Sequence, residues 1–474
     1  MKIEAEEIPP NVSNFVKSLR DVGYTFEIAV ADILDNCISA NASNISIYTA
    51  PIPQHIFCML DDGSGMSEYE LVEAMRLATQ NPEEERDSKD LGRFGLGLKT
   101  ASFSQCKKLT VITSKDKSIS LRQWDLDYIA IENKWMLIKP PLDDFKDIPL
   151  FQELQALEHG TLVVWQKIDR YTEEGFSSLI DKLRSHLSLV FHRFLEGENN
   201  FSRLKVKINN NPVKAFNPFN QNHAATLKKP DEKINIYKFP INITPFILPH
   251  HSKMSQQEWD KYATEEGYIK SQGFYLYRAN RLLIHGTWWG LHKASDAHKL
   301  VRIRIDIPNN QDELWGIDIK KSKASPLPEI KKDLRRIIGE ATILGSRPYT
   351  GRARKIKDKS IIRFWNLVPK NEIMHFGINR NHPIYKQLSK NLSETESYLL
   401  ETYLKSLEAY LPIESIQAEL QKNPHDINQD NALTLEEIND LADKLRNTGL
   451  DSEYIDRLLK TELFKDRKEL FENE

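Results

Sequence analysis

Cysteine is scarce in this chain of 474 residues, which contains only Cys37, Cys58 and Cys106. The three cysteines are odd in number, far apart and without a CxxC pair. That pattern argues against a disulfide framework and against a thiolate zinc site. We expect all three side chains to behave as small buried hydrophobic groups.

Long apolar runs and a secretory leader are also missing from the sequence. The first ten residues, MKIEAEEIPP, are acidic and polar, and no later stretch has the length and apolar composition of a membrane helix. The net charge is only -3 at pH 7, so any surface for nucleic acid must be local. We therefore expect a globular cytoplasmic protein without a membrane partner, and its length predicts two or three domains.

Residues 26–40, FEIAVADILDNCISA, have the pattern of an amphipathic helix. At about 100° per residue the isoleucines lie towards one side, while Asp32 and Asn36, four residues apart, stack on another. A carboxylate and a carboxamide one turn apart can share a water molecule and a cation. Such pairs are also common on solvated helices, so this pair alone does not define a site.

A turn that contains glycine follows the next hydrophobic stretch. Residues 44–50 and 55–66 predict strands, and the second strand runs into Asp61, Gly63 and Gly65, which are spaced DxGxG. The glycines allow a tight turn and leave room beside the backbone. The carboxylate at the strand end can then accept a hydrogen bond from the amino group of a flat ligand. The same spacing also occurs in ordinary strand-to-helix turns.

The next segment predicts a helix and then a loop. Residues 67–78 have a helical pattern that opens with a capping box of Ser67 and Glu70. Residues 81–90, NPEEERDSKD, contain no apolar side chain and predict a mobile surface loop. A mobile loop between two ligand-binding motifs can serve as a lid.

Residues 91–103, LGRFGLGLKTASF, place Gly92, Gly95 and Gly97 before a predicted helix. Glycines at a helix N-terminus expose free N–H groups, which bind phosphate without the help of side chains. Lys99 can add a positive charge next to the same anion. The spacing differs from the P-loop and from the dinucleotide-binding GxGxxG, so a single match to it is a weak signal.

Strands and helices alternate through the middle of the chain. Residues 108–113 and 118–124 predict paired strands, and residues 160–168 predict a further strand. Residues 171–195 predict one long amphipathic helix. Residues 205–219 predict a hairpin with an Asn-rich turn, and the composition changes there, so we place the start of a second domain at this point.

The second half of the chain holds more strands and then helices. Residues 273–284 and 299–307 predict strands, and a helix is expected to begin near Glu329. Residues 346–359 are rich in Lys and Arg, which is typical of a solvated loop when aromatic residues are not interleaved. The remainder, to residue 474, predicts mostly helix.

One short segment near the C-terminus matches the ligand positions of an EF-hand. The ligands would be Asp426, Asn428, Asp430 and Glu437, although Asn431 stands where glycine is usual. Thr434 and Glu437 also form a capping box, and no second hand is visible. The capping box is the favoured interpretation, and a calcium site is the alternative.

The motifs in their fixed order resemble the GHKL ATPase superfamily, which includes gyrase B, the ninety-kilodalton heat-shock chaperones, histidine kinases, MutL and MORC proteins. The resemblance spans roughly residues 15–345 at the scale of domains. It implies an α+β protein with an N-terminal Bergerat α/β sandwich in residues 1–198, a second α/β transducer domain in residues 199–345 and a mainly helical region in residues 346–474.

The resemblance also implies roles for individual residues. In DILDN, Asn36 corresponds to the magnesium-binding asparagine, and Asp32 stands where most ATPase members carry the catalytic glutamate. Asp61 corresponds to the aspartate that reads adenine, and Thr161 to the threonine that supports the adenine site. The remaining positions implied to bind ATP are Gly63, Gly65, Met66, Gly92, Gly95, Gly97, Leu98, Lys99 and Thr100.

Details within the superfamily favour MORC-like and stand-alone prokaryotic ATPases. MutL proteins carry GFRGEAL at the phosphate loop, where this chain has GRFGLGLKTASF. Residues 278–291 and 313–326 resemble the transducer domain of MORC-like, gyrase and MutL proteins, in which a lysine reaches the γ-phosphate. Candidates for that catalytic lysine are Lys320, Lys321 and Lys323, and the sequence does not choose among them.

The resemblance implies a slow ATPase that uses ATP and Mg²⁺ and closes as a homodimeric clamp when ATP binds. The favoured hypothesis is a clamp on DNA in a prokaryotic defence or DNA-processing system, with a separate effector protein. One alternative is a chaperone-like ATPase with protein clients, which predicts an exposed apolar groove. Another is a nucleotide sensor and scaffold that does not hydrolyse ATP, because Asp32 departs from the usual glutamate.

Overall fold

A computed structural model of the chain describes residues 8, 11–21, 23–77, 97–197, 203–236, 239–312, 314–318, 323–356, 361–370, 373–422, 433–449, 451–465 and 467–471. The chain divides into two compact units, Met1–Leu248 with Tyr262–Thr342, and Pro249–Lys261 with Ile343–Glu474. Among the helices in the described ranges, none combines the length and the apolar composition that a membrane crossing needs.

The first sheet has seven strands within the described residues, in the order β4-β3-β5-β2-β1-β6-β7. Only β1 and β6 run parallel, and the other neighbours are antiparallel. Side chains alternate between its two faces, so Phe57 and Met59 enter one core and Cys58 and Leu60 the other. The strands are β1 (Asn44–Ala50), β2 (Ile56–Asp61), β3 (Cys106–Lys115), β4 (Ser118–Asp125), β5 (Gly160–Ile168), β6 (Lys205–Ile208) and β7 (Asn211–Pro212).

Helices cover this sheet. They are α1 (Val12–Arg20), α2 (Phe26–Ser39), α3 (Glu68–Met75), α4 (Gly97–Gln105), α5 (Leu126–Glu132), α6 (Phe151–Ala156), α7 (Phe176–Val190) and α8 (His192–Glu196). Helix α2 packs against α4 and α7 as well as against the sheet. It is therefore buried on most sides, including at Asp32 and Asp35, whereas the sequence predicts one apolar and one polar face. The predicted capping box of α3 is present, with Ser67 and Glu70 exchanging both hydrogen bonds.

The predicted single helix over residues 171–195 is wrong, because the structure has two helices there. Phe191, with φ -106° and ψ 15°, separates α7 from α8. The break turns α8 so that the His192 ring nitrogen lies 2.8 Å from the Tyr277 hydroxyl. Arg193 forms an ion pair with Asp306 at 2.5 Å. A regular 3.6-residue pattern does not reveal such a bend, since both parts keep their apolar face on the core.

The predicted hairpin near residue 205 forms the edge of the first sheet. Strand β6 lies parallel to β1, and β7 pairs with β6. Asn209, in the turn, accepts a hydrogen bond from the Thr49 amide at 2.9 Å and donates one to the Thr49 carbonyl at 2.9 Å. Pairing of this hairpin with β1 is a long-range contact that the local turn signal does not contain.

The second sheet follows the order β12-β11-β13-β10-β8, with β9 paired to β10. Its apolar side chains pack against the first half of α11 (Pro328–Ile356), through Ile330, Leu334 and Ile338. The strands are β8 (Leu227–Lys228), β9 (Glu232–Ile236), β10 (Phe239–Ile247), β11 (Gly273–Arg278), β12 (Arg281–Thr287) and β13 (Val301–Ile307). Helices α9 (Gln256–Ala263) and α10 (Gly267–Lys270) connect β10 to β11.

The C-terminal part of the chain is mostly helical, as predicted. A strand pair that the sequence did not predict precedes the helices, and its strands are β14 (Trp365–Lys370) and β15 (Ile373–Ile378). A small core holds α15 and α16 together through Ile438, Leu445 and Leu458. The helices are α12 (Pro383–Ser389), α13 (Glu394–Ala409), α14 (Ile413–Lys422), α15 (Leu435–Arg446) and α16 (Ser452–Leu458). Short 3-10 helices lie at Leu142–Phe145, His251–Lys253, Asp296–His298, Asn309–Gln311 and Lys468–Leu470.

The structure confirms the predicted fold class. An α/β sandwich is followed by a second sheet with a helix packed on it and by a mainly helical C-terminal region. The three cysteines are free and buried, as the sequence predicts. Burial raises the pKa of the Cys58 thiol to about 12, so this thiol is protonated near neutral pH.

Candidate functional site

Asp61 ends β2 at one edge of the first sheet. Its Oδ1 accepts a hydrogen bond from the Gly63 amide at 2.9 Å, and its side chain is almost fully buried. Burial raises the pKa of the Asp61 carboxyl to about 6, although the Gly63 amide acts in the opposite direction. A buried carboxylate of this kind can accept a hydrogen bond from an N–H group of a ligand.

The turn after Asp61 requires both of its glycines. At Gly65 φ is +60°, and a Cβ atom would lie 2.0 Å from the Ser114 carbonyl oxygen. At Gly63 a Cβ atom would lie 2.9 Å from the Ala40 carbonyl oxygen. No side chain fits at either position, so the backbone passes close to its neighbours beside the buried carboxylate.

Two threonines support this turn from the neighbouring strands. Strand pairing places Thr161 directly opposite Asp61, and Thr113 opposite Thr161. The Thr113 hydroxyl accepts a hydrogen bond from the Met66 amide at 2.9 Å and donates one to the Gly160 carbonyl at 3.0 Å. No sequence pattern indicates Thr113, because only the register between β3 and β5 reveals its place.

Asp32 lies inside the protein, with only 3% of its surface exposed. Its Oδ2 accepts a hydrogen bond from the Tyr24 hydroxyl at 3.0 Å, and its Oδ1 lies 3.7 Å from Nη2 of Arg281. Burial, and then the Asp32 charge, raise the pKa of Tyr24 well above its usual value, so the phenol remains a donor. One turn later Asn36 is exposed. The two polar residues of α2 therefore differ in environment.

Asp35, adjacent to Asn36, forms a buried ion pair with Arg281. Arg281 Nε donates to Asp35 Oδ1 at 2.8 Å, and both side chains are at least nine-tenths buried. The sequence did not predict a role for Asp35, Arg281 or Tyr24. Asp35 lies in the DILDN motif, and Arg281 lies in residues 278–291, which resemble a transducer domain. No local pattern shows that the two side chains are in contact.

The N-terminus of α4 lies beside Asp32. Gly97 is the first residue of α4, and a Cβ atom on it would lie 4.0 Å from Asp32 Oδ2. The Thr100 side chain forms a hydrogen bond with Tyr24, the residue that also binds Asp32. The first N–H groups of a helix form an anion site, so an anion here would lie next to the Asp32 carboxylate.

Lys99 has a partner within the protein. Its Nζ donates to the Ala74 carbonyl near the C-terminus of α3 at 2.9 Å, and the side chain is buried. Burial lowers the pKa of Lys99 to about 8. A contact between Lys99 and a phosphate stays a prediction, and it would require the lysine to leave α3. Met66 and Leu98 are partly buried against the core.

Several residues named from the sequence lie outside the described residues: Gly92, Gly95, the lid segment 81–90, Lys320 and Lys321. Lys323 is exposed, and its amide donates to Asp318 Oδ1 at 2.9 Å. The charge of Asp318 also raises the pKa of Tyr24. The choice among the three lysines stays open.

The EF-hand-like segment contains a helix cap. Glu437 accepts a hydrogen bond from the Thr434 amide at 2.7 Å, and the Thr434 hydroxyl caps the Glu437 amide at 3.2 Å. The predicted capping box at the start of α15 is therefore confirmed. The other candidate calcium ligands, Asp426, Asn428 and Asp430, lie outside the described residues.

Asn36 fits the requirements of a magnesium ligand, and Asp32, whose two oxygens contact Tyr24 and Arg281, lies one turn before it. The two side chains follow each other by one turn of α2, and they offer carboxylate and amide oxygens. Hard divalent cations prefer oxygen ligands of this kind. Asn36 is exposed, so its amide oxygen is accessible to an ion from solvent.

The sequence profile of the histidine kinase-, DNA gyrase B- and HSP90-like ATPases matches residues 24–161. These residues contain Tyr24, Asp32, Asn36, Asp61 and the glycine turn. Residues 24–161 belong to the GHKL ATPase superfamily. The match begins at Tyr24, which donates a hydrogen bond to Asp32, and ends at Thr161, which lies opposite Asp61. It therefore includes both the surroundings of Asp32 and the turn after Asp61.

Part of this chain is similar to MORC ATPases. It is 30% identical over 99 residues to ATPase MORC2B of Mus musculus, covering 19% of this chain and 9% of that relative. It is 32% identical over 108 residues to ATPase morc-1 of Caenorhabditis elegans, covering 23% of this chain and 12% of that relative. The similarity thus spans about a tenth of each relative.

The raised pKa of Asp61 makes a testable prediction. Its pKa in the folded protein, about 6, lies above the ordinary 3.8, so ionisation of Asp61 costs stability as pH rises through about 6. The variant Asp61→Asn should therefore melt at a higher temperature than the wild type, and the gap should be wider near pH 7.5 than near pH 4.5. Thermal unfolding of both proteins without nucleotide, at the two pH values, measures the difference in melting temperature. Equal gaps would contradict burial of a charged Asp61.

Proposed function

We propose that the protein binds ATP with magnesium at this site and hydrolyses it slowly. One observation carries the proposal: the buried Asp61 with its glycine turn lies within the same GHKL region as Asp32 and the α4 N-terminus. An adenine amino group would donate to Asp61, and the triphosphate would extend to the first N–H groups of α4. Magnesium, when bound at Asn36, offsets the charge of the phosphates.

Asp32 is the proposed acceptor of the proton from the attacking water. The water oxygen forms a bond to the γ-phosphorus, the bond from that phosphorus to the β,γ-bridging oxygen breaks, and ADP leaves with the electron pair. An aspartate is one methylene shorter than a glutamate, so on an unchanged helix its carboxylate lies roughly 1.5 Å farther from the water. Misplacement by about 1 Å can cost a hundredfold in rate, so we expect slow turnover.

A nucleotide sensor that does not hydrolyse ATP is the second candidate, and the contacts of Asp32 favour it. One carboxylate oxygen already accepts the Tyr24 hydroxyl, and the other faces Arg281. Both contacts stabilise the charged carboxylate and make it a weaker base. If ATP binding does not displace either contact, the site would hold ATP without turning it over.

We further propose that ATP closes two copies of the protein into a clamp, as the resemblance implies. DNA is the client that we favoured from the sequence. For a protein client, the supporting observation is that large apolar side chains are exposed on α13, on α14 and at the residue that follows α13. They include Tyr398, Leu399 and Tyr403 on α13, Tyr410 directly after it and Ile413 at the start of α14. The clamp, the DNA and an effector protein therefore stay proposals.

Addition of ATP and magnesium should raise the thermal midpoint of the wild type, and Asn36→Ala should remove the shift. At about a hundredfold excess over Kd, the ligand should stabilise the folded state by about 2.7 kcal/mol. Asn14→Ala, an exposed asparagine on α1, is the matched control and should keep the shift. A wild type whose midpoint does not respond to millimolar ATP would refute nucleotide binding.

Asp32→Asn should abolish hydrolysis and retain ATP binding. The amide keeps the shape of the side chain and can still accept from Tyr24, but it cannot take a proton. Phosphate release and nucleotide affinity, measured on the same protein below its melting range, give the two readouts. Turnover equal to that of the wild type would show that the base lies elsewhere, and no turnover in either protein would favour the sensor.

A non-hydrolysable ATP analogue should convert the monomer to a dimer or tighten an existing dimer. Light scattering with and without the analogue measures the mass. Light scattering with duplex DNA at rising salt tests whether DNA is the client. A complex with DNA should weaken as salt rises, because contacts with phosphates release counterions. An unchanged mass would contradict the clamp and leave ATP binding unaffected.

A further inference from the structure

Helix α13 is fixed to the rest of its compact unit by polar side chains. Glu408 accepts a hydrogen bond from the Ile378 amide of β15 at 2.6 Å and also binds Arg380. Glu401 accepts one hydrogen bond from Arg380 Nε at 3.3 Å and another from the Tyr385 hydroxyl. None of the 16 residues of α13 is buried. The contacts that hold α13 are therefore made by carboxylates, and the helix buries none of its apolar side chains.

The large apolar side chains of α13 form a stripe on the other side of the helix. The stripe consists of four residues with spacings of four, four and three, Leu399, Tyr403, Leu407 and Tyr410. Between 42% and 84% of each residue is exposed, and Tyr410 directly follows the helix. At about 100° per residue the four lie within about 80° of one another, whereas Glu401 and Glu408 lie roughly on the opposite side. The usual amphipathic arrangement is thus inverted, with the charged side towards the protein and the apolar side towards solvent.

Helix α14 follows after a short connection and is exposed on all sides. Every residue from 412 to 420 is exposed. Ile413, Ile416 and Leu420, with spacings of three and four, form a second apolar stripe, and at least 39% of each is exposed. A helix of 10 residues is only marginally stable in water without packing. A stable α14 therefore requires a partner for its apolar side.

We propose that the stripes of α13 and α14 form an interface between two copies of this chain, which associate without nucleotide. At about 150–250 Å² for a large side chain, the exposed parts of the seven residues present roughly 700 Å². The largest apolar patch on a typical monomer is about 300–600 Å², whereas a stable interface buries about 800 Å² on each partner. A two-fold contact applies the same patch to itself, so it covers both copies at once.

Spacing and composition favour a like helix over varied protein clients as the occupant. Apolar residues three and four apart, on both helices, suit the packing of ridges into grooves with another amphipathic helix. Surfaces that accept many different clients make use of flexible methionine side chains. Residues 394–422 contain no methionine. The stripes consist of tyrosine, leucine and isoleucine, which suit a contact of fixed geometry.

The mass of the nucleotide-free protein, measured by light scattering over a range of protein concentrations, tests the proposal. The wild type should reach twice the chain mass of 55.0 kDa. Tyr403→Glu combined with Ile416→Glu puts one charge into each stripe and should hold the protein at the chain mass, because burial of an unpaired charge opposes association. A wild type that stays at the chain mass at every concentration would overturn the proposal, and so would a variant that is as dimeric as the wild type.

Tyr128→Glu combined with Ile131→Glu is the matched control, because it makes the same two substitutions at exposed residues of α5. Helix α5 buries Leu126 and Ile129, so it is covered by its own unit. The control should remain dimeric. A control that also falls to the chain mass would assign the loss to added charge and overturn the proposal.

A second stripe variant repeats the test without adding charge, in case the first variant does not fold. Leu399→Gln combined with Leu420→Gln removes one apolar side chain from each stripe. It should weaken the dimer at least about tenfold, because less apolar surface is removed from water on association. A folded Leu399→Gln, Leu420→Gln protein with the dimer affinity of the wild type would contradict the proposed interface.

Hydrogen exchange identifies what covers α14. Its amides should be protected in the wild-type dimer and exchange rapidly after dilution to the monomer, because a short uncovered helix opens readily. Protection that persists in the monomer would assign the cover to another segment of the same chain and overturn the proposal. A monomer in which α14 is protected only after addition of a reduced, permanently unfolded protein would assign the stripes to a client, with the same consequence. No nucleotide is present, so these outcomes do not depend on ATP binding.

Discussion

The site depends on how the carboxylates of Asp32 and Asp35 are stabilised in the buried helix α2. Asp32 and Asp35 are among the most buried charged residues of the protein, with 3% and 1% of their surfaces exposed. Breaking a buried ion pair on one side typically costs about 3–5 kcal/mol, because the remaining charge lacks a partner. Arg281 and Tyr24 supply the partners in this protein. The helix can therefore be packed on most sides and still present Asn36 to solvent.

The same arrangement links the parts of the first compact unit. Arg281 comes from the second sheet, and Tyr24 precedes α2 and also bonds Thr100 of α4. The proposed nucleotide site and the second sheet are thus joined by hydrogen bonds and ion pairs. A ligand that changed the position of α4 would act on Asp32 through Tyr24, and a shift of the hairpin would act on it through Arg281. Coupling of this kind is local electrostatics, and it needs no long pathway.

The sequence predicted the parts of the site that local patterns encode. The strand end at Asp61, the glycine turn, the helix containing Asp32 and Asn36, and the capping boxes of α3 and α15 all follow from short spacings. It did not predict Thr113, Tyr24 or Arg281, because their roles arise from strand register and from packing between distant segments. The break at Phe191 was missed for the same reason, since the apolar period continues across it.

A crystal structure with magnesium and a non-hydrolysable ATP analogue tests the central claim most directly. The account predicts that the adenine amino group donates to Asp61, that the triphosphate lies at the N-terminus of α4, and that the metal contacts Asn36. Asp32 should face the γ-phosphate from the side of the attacking water, with Arg281 still bound to Asp35. An analogue bound with its base away from Asp61, or with its phosphates away from α4, would contradict the account.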